Sequence, residues 1–186
     1  MSLLIEDIFQ AILLKRIKRF GITKPFLYIC DMKEIVYKGN LMDSSADIIA
    51  HQVNASGGFG SGVAKAVKER YPRVAEQYHK AVEKQLLKLG MCQIVKTNPG
   101  SDDNRLIANL CGQERYGYDG KRYTNYEGIY IALEKLALYC KEHGIKSVAF
   151  PWNMSSDRGG ADWQVICSMI EAVFKDLDIT VEYWKL

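Results

Sequence analysis

Apolar positions recur along the chain in two rhythms. Near the start, Ile5, Phe9, Leu13 and Ile17 return every four residues, with Ile8 and Ile12 beside them. That spacing predicts an amphipathic helix. Lys15, Arg16, Lys18 and Arg19 gather at its end, where cations suit the helix dipole, and Gly21 closes it. Beyond it, short β-branched runs alternate with helical periods. "EIVYK" at 34–38 and "DIIAHQV" at 47–53 read as strands. A glycine loop follows, then a helix from about Ser61 to Arg70. Pro72 opens a second helix, with Val74, Tyr78, Val82, Leu86 and Leu89 on one side and Gly90 at its end. "CQIVKT" and "RLIANLC" are strands around a polar turn containing Pro99 and Gly100. Thr124 and Glu127 form a capping-box pattern that starts a long helix, closed by Gly144. "KSVAF" is a strand stopped by Pro151, Asp162 caps the helix "WQVICSMIEAVFKDL", and "ITVEYW" is the last strand.

Strands that are apolar throughout, alternating with helices, predict an α/β fold with a mixed sheet buried between helical layers. The 186 residues suggest one domain, read as residues 31–186, preceded by a helical extension over 1–30. A domain of this size buries about 70% of its unfolded surface, so it requires no disulfide or metal staple. No cofactor or metal is expected. The five cysteines are scattered without ligand spacing, and their odd number, with no secretion pattern, favours a reducing, cytoplasmic setting. At the N-terminus the positive charge follows the apolar stretch, and Glu6 and Asp7 interrupt it, unlike a secretion signal. No apolar run approaches the roughly 18 residues that span a bilayer. A net charge of +3 is too small to argue for nucleic acid or a membrane as the main partner. The N-terminal helix is expected to pack on the domain or to mediate self-association with a second copy. Contact with a membrane surface or nucleic acid is the alternative.

The candidate chemistry centres on "NASGGFGSGVAKAVKERYP", residues 54–72. Gly57, Gly58, Gly60 and Gly62 give the loop access to positive φ and let its backbone approach a ligand closely. Its N–H groups, with the N-terminus of the next helix, can surround phosphate oxygens. The spacing is neither GxxxxGK[ST] nor GxGxxG. A flexible turn packed closely on the sheet is the competing reading. His51, in the strand before the loop, carries an imidazole, a group that ordinarily titrates near the working pH, and is a candidate acid/base, or else a hydrogen-bonded core histidine.

With its flanks added, the loop resembles a known family. "VYKGNL", "IIAHQVNASGGFGSGVAKAVKERYP", "IANLCGQERYG", "RYTNYEGIYIALEKLA" and "SVAFPW", in that order, resemble macrodomains. They look most like the branch of ADP-ribose-1''-phosphate phosphatases and terminal ADP-ribose glycohydrolases. The resemblance covers about residues 33–186 and implies a three-layer α/β/α fold holding ADP-ribose in a cleft. It implies Asn40 and Leu41 at the adenine motif, with Asn40 in place of the usual acid. It implies Asn54 as a ligand to the distal ribose, or else as a tie for its own loop. Gly58, Gly60, Ser61, Gly62 and Val63 match the first phosphate loop, where Ser61 is also a helix N-cap candidate.

The second loop, "PWNMSSDRGGADW", departs from the glycine-rich family turn. Ser155, Ser156 and Arg158 are its candidate phosphate contacts. Asp157 resembles the aspartate that such glycohydrolases place before an arginine, and it is a candidate for activating water. Where those enzymes carry a lysine, this chain has Gly112 or Gln113, which argues against a lysine-mediated mechanism. Tyr116, Tyr118 and Tyr123 are candidates for an adenine-stacking wall, and Phe59 for a cover over the distal ribose. The expected function is binding of ADP-ribose or an ADP-ribosylated molecule. Hydrolysis of a phosphate monoester, or of a link at the distal ribose, is the candidate activity. A non-catalytic reader is the alternative, and an interaction module with a closed cleft is a third.

Overall fold

The computed structural model describes residues 35–100, 105–117 and 119–186. The expected N-terminal extension, the family flank before residue 35 and Tyr118 lie outside the described residues. Six strands form one sheet: β1 (Ile35–Lys38), β2 (Ile48–Asn54), β3 (Cys92–Lys96), β4 (Leu106–Gln113), β5 (Ser147–Pro151) and β6 (Thr180–Lys185). Their order is β1-β6-β5-β2-β4-β3. All neighbours are parallel except the edge strand β3, which runs antiparallel to β4. The expected mixed sheet is therefore present, with its single antiparallel pair at one edge.

Among the described residues four helices cover its two faces: α1 (Gly62–Arg70), α2 (Pro72–Glu83), α3 (Tyr126–His143) and α4 (Trp163–Phe174). Alternation along the strands decides the layering. Ile48 and Ala50, with Leu110 and Phe150, face one core that holds Ile129, Leu133 and Leu136 of α3 and Ile166, Ile170 and Phe174 of α4. Ile49 and Val53, with Ile107 and Ala149, face the other, which holds Val67 of α1 and Val74 and Tyr78 of α2. Both faces are covered, so β2 and β4 are buried almost end to end. This is the physical reason their sequences read as apolar runs. Each large side chain so buried contributes about 1.5–3 kcal/mol.

Two local expectations are corrected. The second helix does not continue to Gly90. It ends at Glu83, and Gln85 takes a left-handed φ of 55°. The chain turns there, leaving Leu86 63% exposed while Leu87 enters the core. The long helix is capped one residue later than the capping-box pattern implies. Asn125, not Thr124, accepts the bond from the Gly128 amide at 2.8 Å. Thr124 is held elsewhere, bridged to Gln113 and bonded at its hydroxyl by Gln52. Asp162 does cap α4, accepting from the Gln164 amide, and Gly144 closes α3 with φ 67°.

Candidate functional site

Parallel strands β2, β4 and β5 end at the same rim, so the segments that follow them converge. Open α/β sheets gather ligands at such a rim. Here the three segments enclose a cavity of about 610 Å3. The glycine loop and the start of α1 form one wall, Trp152 to Ser155 with Asp157 to Gly159 another, and Gln113, Tyr116 and Gly117 the third side.

The glycine loop is stapled from below. Asn54 Nδ2 donates to the Gly58 carbonyl at 2.8 Å. Its Oδ1 accepts from the Ser56 and Gly58 amides, each at 3.0 Å, and from the Ser56 hydroxyl at 2.9 Å. The Tyr78 hydroxyl donates to the Asn54 carbonyl at 2.7 Å, and burial raises that phenol well above its ordinary pKa. Asn54 thus borders the cavity with its amide engaged in holding the loop's shape. Gly57 and Gly62 have φ of 88° and 53°. At Gly58 a Cβ would stand 2.3 Å from the Tyr116 ring, which lies against this loop. Gly60 needs neither concession, because a Cβ there would meet nothing within 4 Å. Ser61 occupies the N-cap position of α1 without making a side-chain cap bond, and the first turn of α1 carries no acidic residue. The amide end of the helix, with its partial positive charge, therefore borders the cavity uncompensated from its own turn.

His51 lies at the cavity floor, 1% exposed. Its Nε2 is 2.8 Å from Asn109 Oδ1, and Phe59 meets its ring edge-on at 5.6 Å. Burial lowers its pKa to about 4, against the smaller opposing effects of Asn109 and the Gln52 backbone. It is neutral at pH 7 and has no proton to spare as an acid, which accords with a buried, hydrogen-bonded histidine.

In the second wall, Asn153 and Ser155 adopt left-handed φ of 58° and 71°, although neither is glycine. The loop thus reaches by strain the kind of backbone that glycine allows freely. Ser155 donates its hydroxyl to Gln52 Oε1 at 2.6 Å, and Gln52 Nε2 donates to the Thr124 hydroxyl at 3.0 Å. Thr124 in turn donates to the Ser155 carbonyl at 3.3 Å. Asp157 and Arg158 line the cavity from exposed positions. Gly159 packs so tightly on Thr124 that a Cβ would stand 2.3 Å from its hydroxyl.

The structure therefore brings together His51, Asn54, Gly58, Gly60, Ser61, Gly62, Val63, Ser155, Asp157 and Arg158 around one cavity. Asn40, Leu41 and Ser156 are not in its lining. Asn40 caps a short 3-10 turn through the Met42 amide, Leu41 is buried in the α1/α2 core, and the Ser156 hydroxyl points to the Met154 carbonyl. Tyr116, on the third side, packs its ring against Gly58 of the glycine loop, and the Tyr123 hydroxyl donates to Asp119 at 2.7 Å. Gln52, Lys68, His79 and Trp152 also line the cavity, and sequence reasoning did not single them out. Lys68 lies seven residues after Ser61 and so shares its helix face, a spacing visible in the sequence. Among the described residues no group of three or more His, Cys, Asp or Glu side chains is placed to hold a metal ion. No helix among them is long and apolar enough to cross a membrane.

Comparison with known proteins agrees with this architecture. The chain is 25% identical over 147 residues to a DNA ADP-ribosyl glycohydrolase of Thermus aquaticus, covering 79% of this chain and 39% of that protein. It is 25% identical over 150 residues to the human ADP-ribose glycohydrolase OARD1, covering 80% and 89%. It thus spans about two fifths of the bacterial relative's length and most of the human one's. The solved macrodomain of Mycobacterium tuberculosis DarG superposes with a TM-score of 0.70 at 24% identity, over 81% of this chain and 97% of that one, a likeness of fold. The Macro domain family model matches residues 50–170, the stretch that carries the glycine loop and both other walls of the cavity, and the chain belongs to that family.

Proposed function

We propose that this protein binds the ADP-ribose moiety, free or attached to a larger molecule, and hydrolyses a linkage at its distal ribose. Gly60 carries this reading. The fold does not require a glycine there, since its φ is not left-handed and a side chain would meet nothing. What the missing Cβ leaves is room for something else to come against bare amides at the start of α1. A pyrophosphate fits that chemistry. The relatives named above, an ADP-ribosyl and an ADP-ribose glycohydrolase, support the same ligand and a hydrolytic outcome.

In this reading Gly58, Gly60, Ser61, Gly62 and Val63 cradle the phosphates, with Ser155 and Arg158 across from them. Asn54 holds the loop in shape. Asp157, exposed on the cavity rim, is the carboxylate available to activate water. His51 serves as an acceptor rather than an acid. Bulk charge does not restrict what carries the ADP-ribose: a nucleic acid held through one ADP-ribosyl group need not spread over a basic surface. Among the described residues Asp157 is the one carboxylate in the lining, which favours a second reading, a non-catalytic reader.

Titration calorimetry with ADP-ribose tests binding. Incubation with ADP-ribosylated oligonucleotide, ADP-ribosylated protein and ADP-ribose-1''-phosphate tests turnover. Heat with release of ADP-ribose supports the proposal, heat without any turnover selects the reader, and no heat overturns both.

A further inference from the structure

His51, Asn109 and Gln93 form a polar line across β2, β4 and β3, and its direction can be read from the far end. Gln93 Nε2 donates to the backbone carbonyl of Gln77 in α2 at 3.0 Å. A carbonyl only accepts, so the orientation of the Gln93 amide is settled and its Oε1 is left for Asn109. Asn109 Nδ2 donates to that oxygen at 2.9 Å, which turns Asn109 Oδ1 toward His51. An acceptor 2.8 Å from Nε2 demands an N–H there. Neutral imidazole carries one such proton, so Nδ1 holds a bare lone pair. That atom is buried with no hydrogen-bond partner in the protein, in a residue that lines the cavity. Buried polar atoms are nearly always paired, and an exception calls for a role.

We infer that the Gln93–Asn109 relay fixes His51 as the Nε2–H tautomer, and that Nδ1 is a preset acceptor for a hydroxyl group of the bound ligand or for its attacking water. Gln93 and Asn109 are then positioning residues: they touch no ligand but decide which nitrogen is offered to it. Phe59 meets the imidazole edge-on and itself contacts Tyr78 and His79 of α2. None of these neighbours is a carboxylate, and the Gln52 backbone, which favours a proton on the ring, is outweighed by burial. The tautomer stands on the hydrogen-bond geometry alone. Assigning the donated hydroxyl to ADP-ribose rests on the function proposed above.

Nitrogen-15 correlation spectra of histidine-labelled protein read the tautomer directly. The chain has three histidines, and His79→Gln and His143→Gln variants assign the remaining signal to His51. The expected spectrum at pH 7 shows Nε2 protonated and Nδ1 not, unchanged down to pH 5. Gln93→Leu removes the anchor, lets the Asn109 amide turn over, and brings in the Nδ1–H form. Gln93→Glu still accepts from Asn109 and keeps the native tautomer. Melting followed by circular dichroism confirms that each variant is folded, and the native spectrum decides the assignment if one is not. An Nδ1–H form in the native protein, protonation near pH 6.5, or an unmoved tautomer in folded Gln93→Leu overturns the relay. Saturating ADP-ribose is expected to shift Nδ1 toward a hydrogen-bonded nitrogen. Calorimetric binding without that shift overturns the acceptor role. Failure to bind at all removes the proposed function instead, while the ligand-free spectra still decide the tautomer.

Discussion

At the scale of single residues, the glycine loop separates two reasons for omitting a side chain. Gly57 and Gly62 are needed for their φ, and Gly58 for the Tyr116 ring packed on it. Gly60 meets neither requirement, and the function proposed above assigns its missing side chain to the ligand. Gly60→Glu is therefore expected to leave the melting temperature unchanged and to abolish ADP-ribose binding in calorimetry; retained affinity would refute the phosphate site. His51 gives a second prediction, with its sign fixed by linkage. Its native pKa is about 4, below the ordinary histidine value of 6.5. Between those values the unfolded chain binds a proton that the native state does not. Stability is then flat above pH 7 and falls as the pH drops from 6.5 toward 4, by about 3 kcal/mol in total. Urea midpoints across that range should show the slope in the native protein and a shallower one in His51→Leu.

At the scale of elements, the two walls of the cavity are shaped by different means. The first uses glycines and a stapling asparagine. The second holds Asn153 and Ser155 in left-handed backbone and ties the loop to β2 through Gln52. Gln52→Ala leaves the Ser155 and Thr124 hydroxyls without that partner. It is expected to weaken ADP-ribose binding about tenfold, consistent with one lost buried hydrogen bond of about 1.4 kcal/mol, with a smaller relative effect on global stability. Parallel calorimetry and thermal melts distinguish the two. Helix ends show which local signals carried. The Asp162 cap and the Gly144 stop were legible because each acts within one turn of its own helix. The Thr124 capping box failed because Thr124 is drawn to Gln52, 72 residues away in sequence, leaving Asn125 to cap. The end of α2 was missed for a similar reason. Its apolar period ran on through Leu86, whereas the turn at Gln85 delivers Leu87 to the core.

At the scale of the whole molecule, ligand binding at a rim shared by three strands should couple to global stability. ADP-ribose at 100 times its dissociation constant adds about 2.7 kcal/mol. For a chain of this length that raises the melting temperature by roughly 5–10 °C. A thermal shift series against ADP-ribose checks it, and an unmoved transition would count against the site.

The sequence by itself determined the strand and helix succession, the coverage of both sheet faces, and the glycine loop at the start of a helix. These follow from period, propensity and backbone freedom, all local properties. Only the tertiary structure decided that Asn54 faces its own loop, that Asn40 and Leu41 stand apart from the cavity, and that Lys68 and Gln52 join it. It also decided that a buried line of amides sets the protonation of His51. The Asn54 ties lie within its own loop, but the other placements depend on what distant strands and helices bring near, and no spacing along one chain contains those distances.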